Sequence, residues 1–110
     1  MLFISVNDFF NKAAKAHRIS KEEEKKYALQ KADGDAVARE KIISSYLPFV
    51  ASYIKRAPNN VHTLKTVYCC VRSLEEGVDS FNFLQDNETF SHHLSRRLRQ
   101  TITSCIVDRY

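Results

Sequence analysis

Five side chains near the end of the chain have types and spacing suited to reading a nucleic acid: His92, Arg96, Arg99, Gln100 and Thr103. They interleave with Phe90, Leu94, Leu98, Ile102, Cys105 and Ile106, which recur at the three- and four-residue steps of an α-helix. At about 100° per residue the apolar set forms one stripe and the polar set falls on the opposite side. That outer face carries two guanidinium forks and an amide, and no acid. Arginine on phosphate or guanine, and glutamine on adenine, are the usual polar readers of DNA. The plain alternative is a solvated outer face, which is what most basic faces of amphipathic helices are.

The elements that must position this helix are legible as caps and stripes. Val6, Phe9, Phe10, Ala13, Ala14 and His17 suggest a short first helix capped near Ser5 or Asn7. Ser20 followed by Glu23 is a capping box, so a second helix should run to about Asp33, stopped by Gly34. Asp35 caps a third helical region over 36–56, with Ile42, Ile43, Tyr46, Leu47, Val50, Tyr53 and Ile54 as its stripe. Pro48 predicts a break there and a restart with the proline in the first turn. Residues 57–62 read as a polar loop. Thr63 caps a helix with the stripe Leu64, Val67, Tyr68, Val71, Leu74, Val78 and Phe81, interrupted by Gly77 at a cost of about 1 kcal/mol relative to alanine. Residues 82–88 read as a loop before the last helix. No alternating strand pattern, repeat or low-complexity tract breaks the series. The expected fold is all-α: one domain over 1–110, a compact bundle of five to six helices, with 1–19 as an N-terminal helix and 20–110 as the core.

The 110 residues suffice for one domain with a modest core. A hydrophobic content of 44%, with 27% charged residues, is ordinary for a soluble globular protein. The net charge of +4 permits an anionic partner without requiring one. Cys69, Cys70 and Cys105 lack metal-ligand spacing and read as reduced thiols of a cytosolic protein. The first residues lack a basic leader, and Asp8 and Asn11 interrupt their apolar run, so neither a secretion signal nor a membrane span is expected.

Catalytic chemistry is not expected. Glu22, Glu23 and Glu24 crowd a helix start and read as capping charges. His92 and His93 are sequence neighbours, pointing about 100° apart on a helix, so they cannot chelate as an i, i+4 pair would. Gly34 and Gly77 stand alone, so there is no phosphate loop. No enzyme activity, cofactor, metal or small-molecule substrate is expected.

Several stretches resemble a known family. Residues 21–56, with Glu22-Glu23-Glu24, Gly34-Asp35, 38–43 and 47–56, resemble the lead into the second conserved region of bacterial sigma-70-type transcription initiation factors. Val78-Asp79-Ser80-Phe81, a short polar loop and 90–103 are similar to the end of that region. The resemblance implies an all-helical domain that binds RNA polymerase and recognises the minus-ten promoter element. It places Gln100 and Thr103 at the upstream edge of that element, with Arg99 beside them, all on the outer face derived above. Phe90 matches the phenylalanine that starts the family helix. Two departures qualify this. The family's base-capturing aromatic positions are His93, Arg96 and Arg97 here, which implies duplex or backbone binding rather than strand opening; stacking on an aromatic ring is worth about 1–3 kcal/mol per base. The acidic, glutamine-containing run that docks on polymerase is replaced by 65–70, where Lys65 reverses a charge and Tyr68 and Cys69 replace a polar pair. Nothing up to Tyr110 corresponds to the family's separate helix-turn-helix domain.

Two functions are expected from these features. In the first, a cytoplasmic sigma-like transcription protein uses Arg96, Arg99, Gln100 and Thr103 on duplex DNA and His92, His93 and Arg97 on phosphate or single strand. Polymerase core or another regulator would meet Lys65, Tyr68, Cys69, Arg72, Glu75 and Glu76. In the second, the scaffold is a protein-interaction module that binds a regulator through Tyr68, Cys69 and Cys70 without opening a promoter; a solvent-facing apolar patch there would favour it.

Overall fold

The computed structural model describes residues 2–85 and 88–107, with the side chains of 106 and 107 left out of the description. Six α-helices run along the chain among these residues: α1 (Val6–Ala14), α2 (Lys21–Ala32), α3 (Ala36–Ser45), α4 (Leu47–Arg56), α5 (Leu64–Ser80) and α6 (Phe90–Val107). No strand occurs among them. The Ile106 side chain expected on the last stripe lies outside the described residues.

Each boundary has a local cause. The Ser5 hydroxyl accepts from the Asp8 amide at 3.0 Å and starts α1. Ser20 and Glu23 close the capping box in both directions, each bond 3.1 Å, and the Ser20 amide holds the Glu23 carboxyl below the usual glutamate range. Gly34 takes φ +93°, a left-handed turn open to glycine at no steric cost, after which the Asp35 carboxylate accepts from Val37 and Ala38. The break before Pro48 falls at Tyr46, and Leu47 and Pro48 open α4. Thr63 caps α5 through the Thr66 amide.

The stripes meet in one core. Phe9, Ile42, Ile43, Val50, Ile54, Val67, Leu74, Leu94 and Leu98 are fully buried, each contributing about 1.5–3 kcal/mol of burial against the entropy of ordering. Phe9 places α1 inside this core rather than beside it. Two loop residues join it as well. Val61, in a 3-10 turn over Asn59–Val61, and Phe83, between α5 and α6, are both buried. Three stripe members do not: Tyr68 stays partly exposed, Ala14 faces solvent, and His17 lies exposed beyond the end of α1. Across α3 and α5, Arg39 forks onto both oxygens of Asp79 at 2.7 and 2.9 Å, which lowers the Asp79 pKa.

Candidate nucleic-acid interface

Helix α6 packs most extensively against α5 and touches α4 along its other flank. Phe90, Leu94, Leu98 and Ile102 point inward, which leaves His92, Arg96, Arg99, Gln100 and Thr103 exposed on the outer side. The Thr103 hydroxyl turns back to donate to the Arg99 carbonyl at 2.8 Å, leaving its oxygen lone pairs outward. Arg96 is paired: its Nη2 donates to Glu88 just before the helix. Among the described residues, no acid pairs with Arg99. The face expected to lack an acid therefore acquires one at its N-terminal edge, from outside the helix.

His93 and Arg97 do not share this face. The His93 ring sits 5.0 Å from Phe81 and 6.0 Å from Phe90, centre to centre, with a buried Nε2 that has no hydrogen-bond partner. Burial lowers its pKa; Glu88 pulls the other way, and Arg97 and Arg96 add to the lowering. Arg97 lies across α5, where Nε donates to the Ser73 carbonyl at 3.1 Å and Nη2 stands 3.6 Å from Glu76. The cause is Gly77. A Cβ there would stand 3.2 Å from Arg97 Cδ, so the missing side chain is what leaves room for the arginine stem. Both residues were expected on nucleic acid, and the structure turns both toward α5.

Helix α4 adds groups that its stripe did not advertise. The Tyr53 hydroxyl hydrogen-bonds Ser95 on α6, and its ring stacks on Phe49 at 5.6 Å. The Arg56 guanidinium lies over the Tyr53 ring at 5.1 Å, with Nε donating to the Ser52 carbonyl. Ser95 stands one turn from both His92 and Arg99, so Arg56 and Tyr53 extend the basic surface from α6 onto α4. The sequence signal was present but ambiguous: Tyr53 counted as core stripe, and Arg56 as a helix end.

The expected partner surface lies on α5. Lys65, Arg72 and Glu76 are exposed, while Glu75 and Cys69 are half-buried and Cys70 is buried. Arg72 donates to Glu76 at 3.1 Å, and Glu76 also faces Arg97, which makes a charged row along the helix. Tyr68 is engaged by the N-terminal segment. Its hydroxyl accepts from the Phe3 amide and donates to the Phe3 carbonyl, both at 2.9 Å, while Phe3 is buried against Phe9 and Tyr68. Tyr68 is itself partly exposed, and beside it the N-terminal segment exposes Leu2 and Ile4, 80% and 87% accessible.

No cluster of His, Cys, Asp or Glu among the described residues could hold a metal ion. No helix among them is long and apolar enough to cross a membrane. Compared with protein-family models, curated proteins and solved structures, the chain matches none.

Proposed function

We propose that the chain is a sigma-like transcription protein that lays the outer face of α6 against promoter-like DNA and associates with RNA polymerase. The observation that carries this reading is the exposure of Arg99, Gln100 and Thr103 together on one side of a well-packed helix, with Arg56 continuing the positive surface on α4. These are the positions at which the sigma-70 resemblance places promoter contacts. Gln100 offers an amide for an adenine edge, Arg99 a fork for guanine or phosphate, and Arg56 and Arg96 reach phosphate. Arg96 must release Glu88 to do so, which sets a threshold for engagement. The reading narrows the contact set, because His93 and Arg97 serve packing. It takes no strand-opening step, since the aromatic groups on this side, Phe49 and Tyr53, are half-buried on α4.

The test is a titration of labelled promoter-like duplex at rising salt, with Arg96→Glu/Arg99→Glu as control. Binding that weakens with salt and collapses in the variant supports the reading; binding indifferent to both removes DNA from it.

A second reading is favoured by Leu2 and Ile4, exposed beside Tyr68: a protein-interaction module that meets a regulator at the junction of the N-terminal segment and α5. Capture from a bacterial lysate, comparing the native chain with Leu2→Ser/Ile4→Ser, separates the cases. Polymerase subunits retained by both chains fit the first reading; a different partner lost from the variant fits the second.

A further inference from the structure

The start of the chain is fastened more completely than a terminus needs to be. Phe3 is buried against α1 and α5, edge-on to Phe9 at 5.1 Å and tilted to Tyr68 at 6.1 Å, with the Lys12 ammonium 5.6 Å from its ring centre. Four backbone groups around it are bonded to side chains of the same two helices. The Tyr68 hydroxyl serves both the N–H and the C=O of Phe3, Lys12 donates to the Leu2 carbonyl at 3.1 Å, and Asp8 accepts from the Ile4 amide at 3.0 Å. Leu2 and Ile4, on either side, leave their side chains in solvent. One ring is taken in, the backbone around it is read, and the neighbouring side chains are ignored. A docking site binds an extended peptide by the same means, a pocket for one side chain and hydrogen bonds to the main chain. The groups that do the holding, Phe9, Lys12, Asp8 and Tyr68, all belong to α1 or α5 and not to the segment they hold.

We propose that the slot bounded by Phe9, Lys12 and Tyr68 is a docking site for an extended segment of a partner protein that carries one phenylalanine, and that Phe3 occupies this slot in cis. The chemistry of the segment follows from what Phe3 uses. A ring fills the slot. The anchor residue and the one after it must each supply an N–H, to Tyr68 and to Asp8, so proline is excluded at both positions. The flanking side chains are unconstrained, because those of Leu2 and Ile4 stand in solvent. Residues 2–4 act as a tethered competitor at an effective concentration on the order of millimolar, so an incoming segment binds in proportion to the fraction of chains whose own strap is out. The site goes beyond the protein-interaction reading, whose contacts are the exposed Leu2 and Ile4. No residue of it lies on α6, so it stands or falls separately from the DNA-binding face.

The probe is acetyl-Gln-Phe-Gln-Ser-amide, with acetyl-Gln-Ser-Gln-Ser-amide as control, titrated into the full isotope-labelled chain and followed by NMR. Phe3→Ser, checked for native helicity by circular dichroism, should bind the probe saturably, with shifts centred on Tyr68 and Lys12, and about tenfold or more tighter than the native chain does. The control peptide should not bind, and a probe with proline after its phenylalanine should bind several-fold more weakly. Phe3→Ser/Tyr68→Phe should also bind the probe several-fold more weakly. A second measurement needs no variant. Added to the native chain, the probe should speed hydrogen exchange of the Phe3 amide in proportion to its concentration, because it holds the strap out, while core amides exchange as before. A folded Phe3→Ser chain with no saturable shift, probe and control binding alike, or a Phe3 amide whose exchange the probe leaves unchanged would each overturn the proposal. Dimerisation of the native chain at the titration concentration, lost in Phe3→Ser, would give the slot to the strap of a second copy and overturn it as well.

Discussion

Replacing Arg56 and Arg99 with glutamine should flatten the salt dependence of DNA binding by a calculable amount. Each phosphate neutralised on duplex DNA contributes about 0.9 to the slope of log K against log salt. The surface described here presents three guanidinium groups on one side, Arg56, Arg96 and Arg99, each exposed and on well-packed helices. If all three reach phosphate, the slope is about −2.7, and affinity falls about 40-fold between 50 and 200 mM salt. The double variant leaves Arg96 alone, so the slope shrinks to about −0.9 and the fall to about 3.5-fold over the same range. Neither side chain is buried, so the fold should survive, and circular dichroism provides the check. Fluorescence anisotropy with a labelled duplex at four or five salt concentrations reads the slope directly. A steep slope that the double variant leaves unchanged would mean that the charge meeting DNA is elsewhere on the molecule, and the α4–α6 surface would be abandoned as the interface.

Three further outcomes follow from particular contacts. Gly77→Ala should change stability by less than about 1 kcal/mol, because the helix-propensity gain is offset by pushing Arg97 from the Ser73 carbonyl; in an Arg97→Ala background the same change should stabilise by about 1 kcal/mol, measured by urea unfolding. His93 should make the fold lose stability in acid. Its folded pKa lies below the ordinary 6.5, so the unfolded chain binds the proton first, and stability drops as pH falls through about 6.5 toward the depressed value. His93→Leu should shrink the difference in melting temperature between pH 7.5 and 5.5, a window above the range where the lowered carboxyls of Asp8, Glu23 and Asp79 titrate. Tyr68→Phe removes both hydrogen bonds to Phe3 and should cost about 1–2 kcal/mol, with faster exchange of the Phe3 amide and an otherwise native spectrum.

What the sequence disclosed and what it withheld divide along local and non-local physics. Ser20 with Glu23, Gly34, Asp35, Thr63 and Pro48 mark their boundaries because each acts within one turn of its own position. The outer residues of α6 were legible because five of them stand well away from the apolar stripe. His93 and Arg97 stand at its edge, where periodicity does not decide between solvent and neighbour. Their direction depends on the opposite helix, where Gly77 leaves room for Arg97, and Phe81 offers a ring to His93. Read along the chain, Gly77 is a helix-weakening residue; read across the interface, it is the recess for an arginine. Val61 and Phe83 were missed for a related reason. Loop residues carry no period, so their burial is set only by what the helices leave open.

The three arginines of α6 show how the interface is limited as well as built. They lie within four residues, yet one helix turn gives them three environments. Arg97 is committed to α5, through a backbone carbonyl and Glu76, and recruiting it to DNA would expose the recess over Gly77. Arg96 is committed conditionally: Glu88 must be displaced, and an exposed ion pair of this kind costs about 0–1 kcal/mol to part, well within what a phosphate contact returns. Arg99 needs no rearrangement among the described residues. Engagement by this surface would therefore begin at Arg99 and Arg56 and recruit Arg96 second. Glu88→Gln should then strengthen binding at low salt, because it releases Arg96 and removes a negative charge from the helix edge. Weaker binding by Glu88→Gln, measured beside Arg96→Gln to show that the two act through each other, would mean that Glu88 orients Arg96 for contact rather than restraining it.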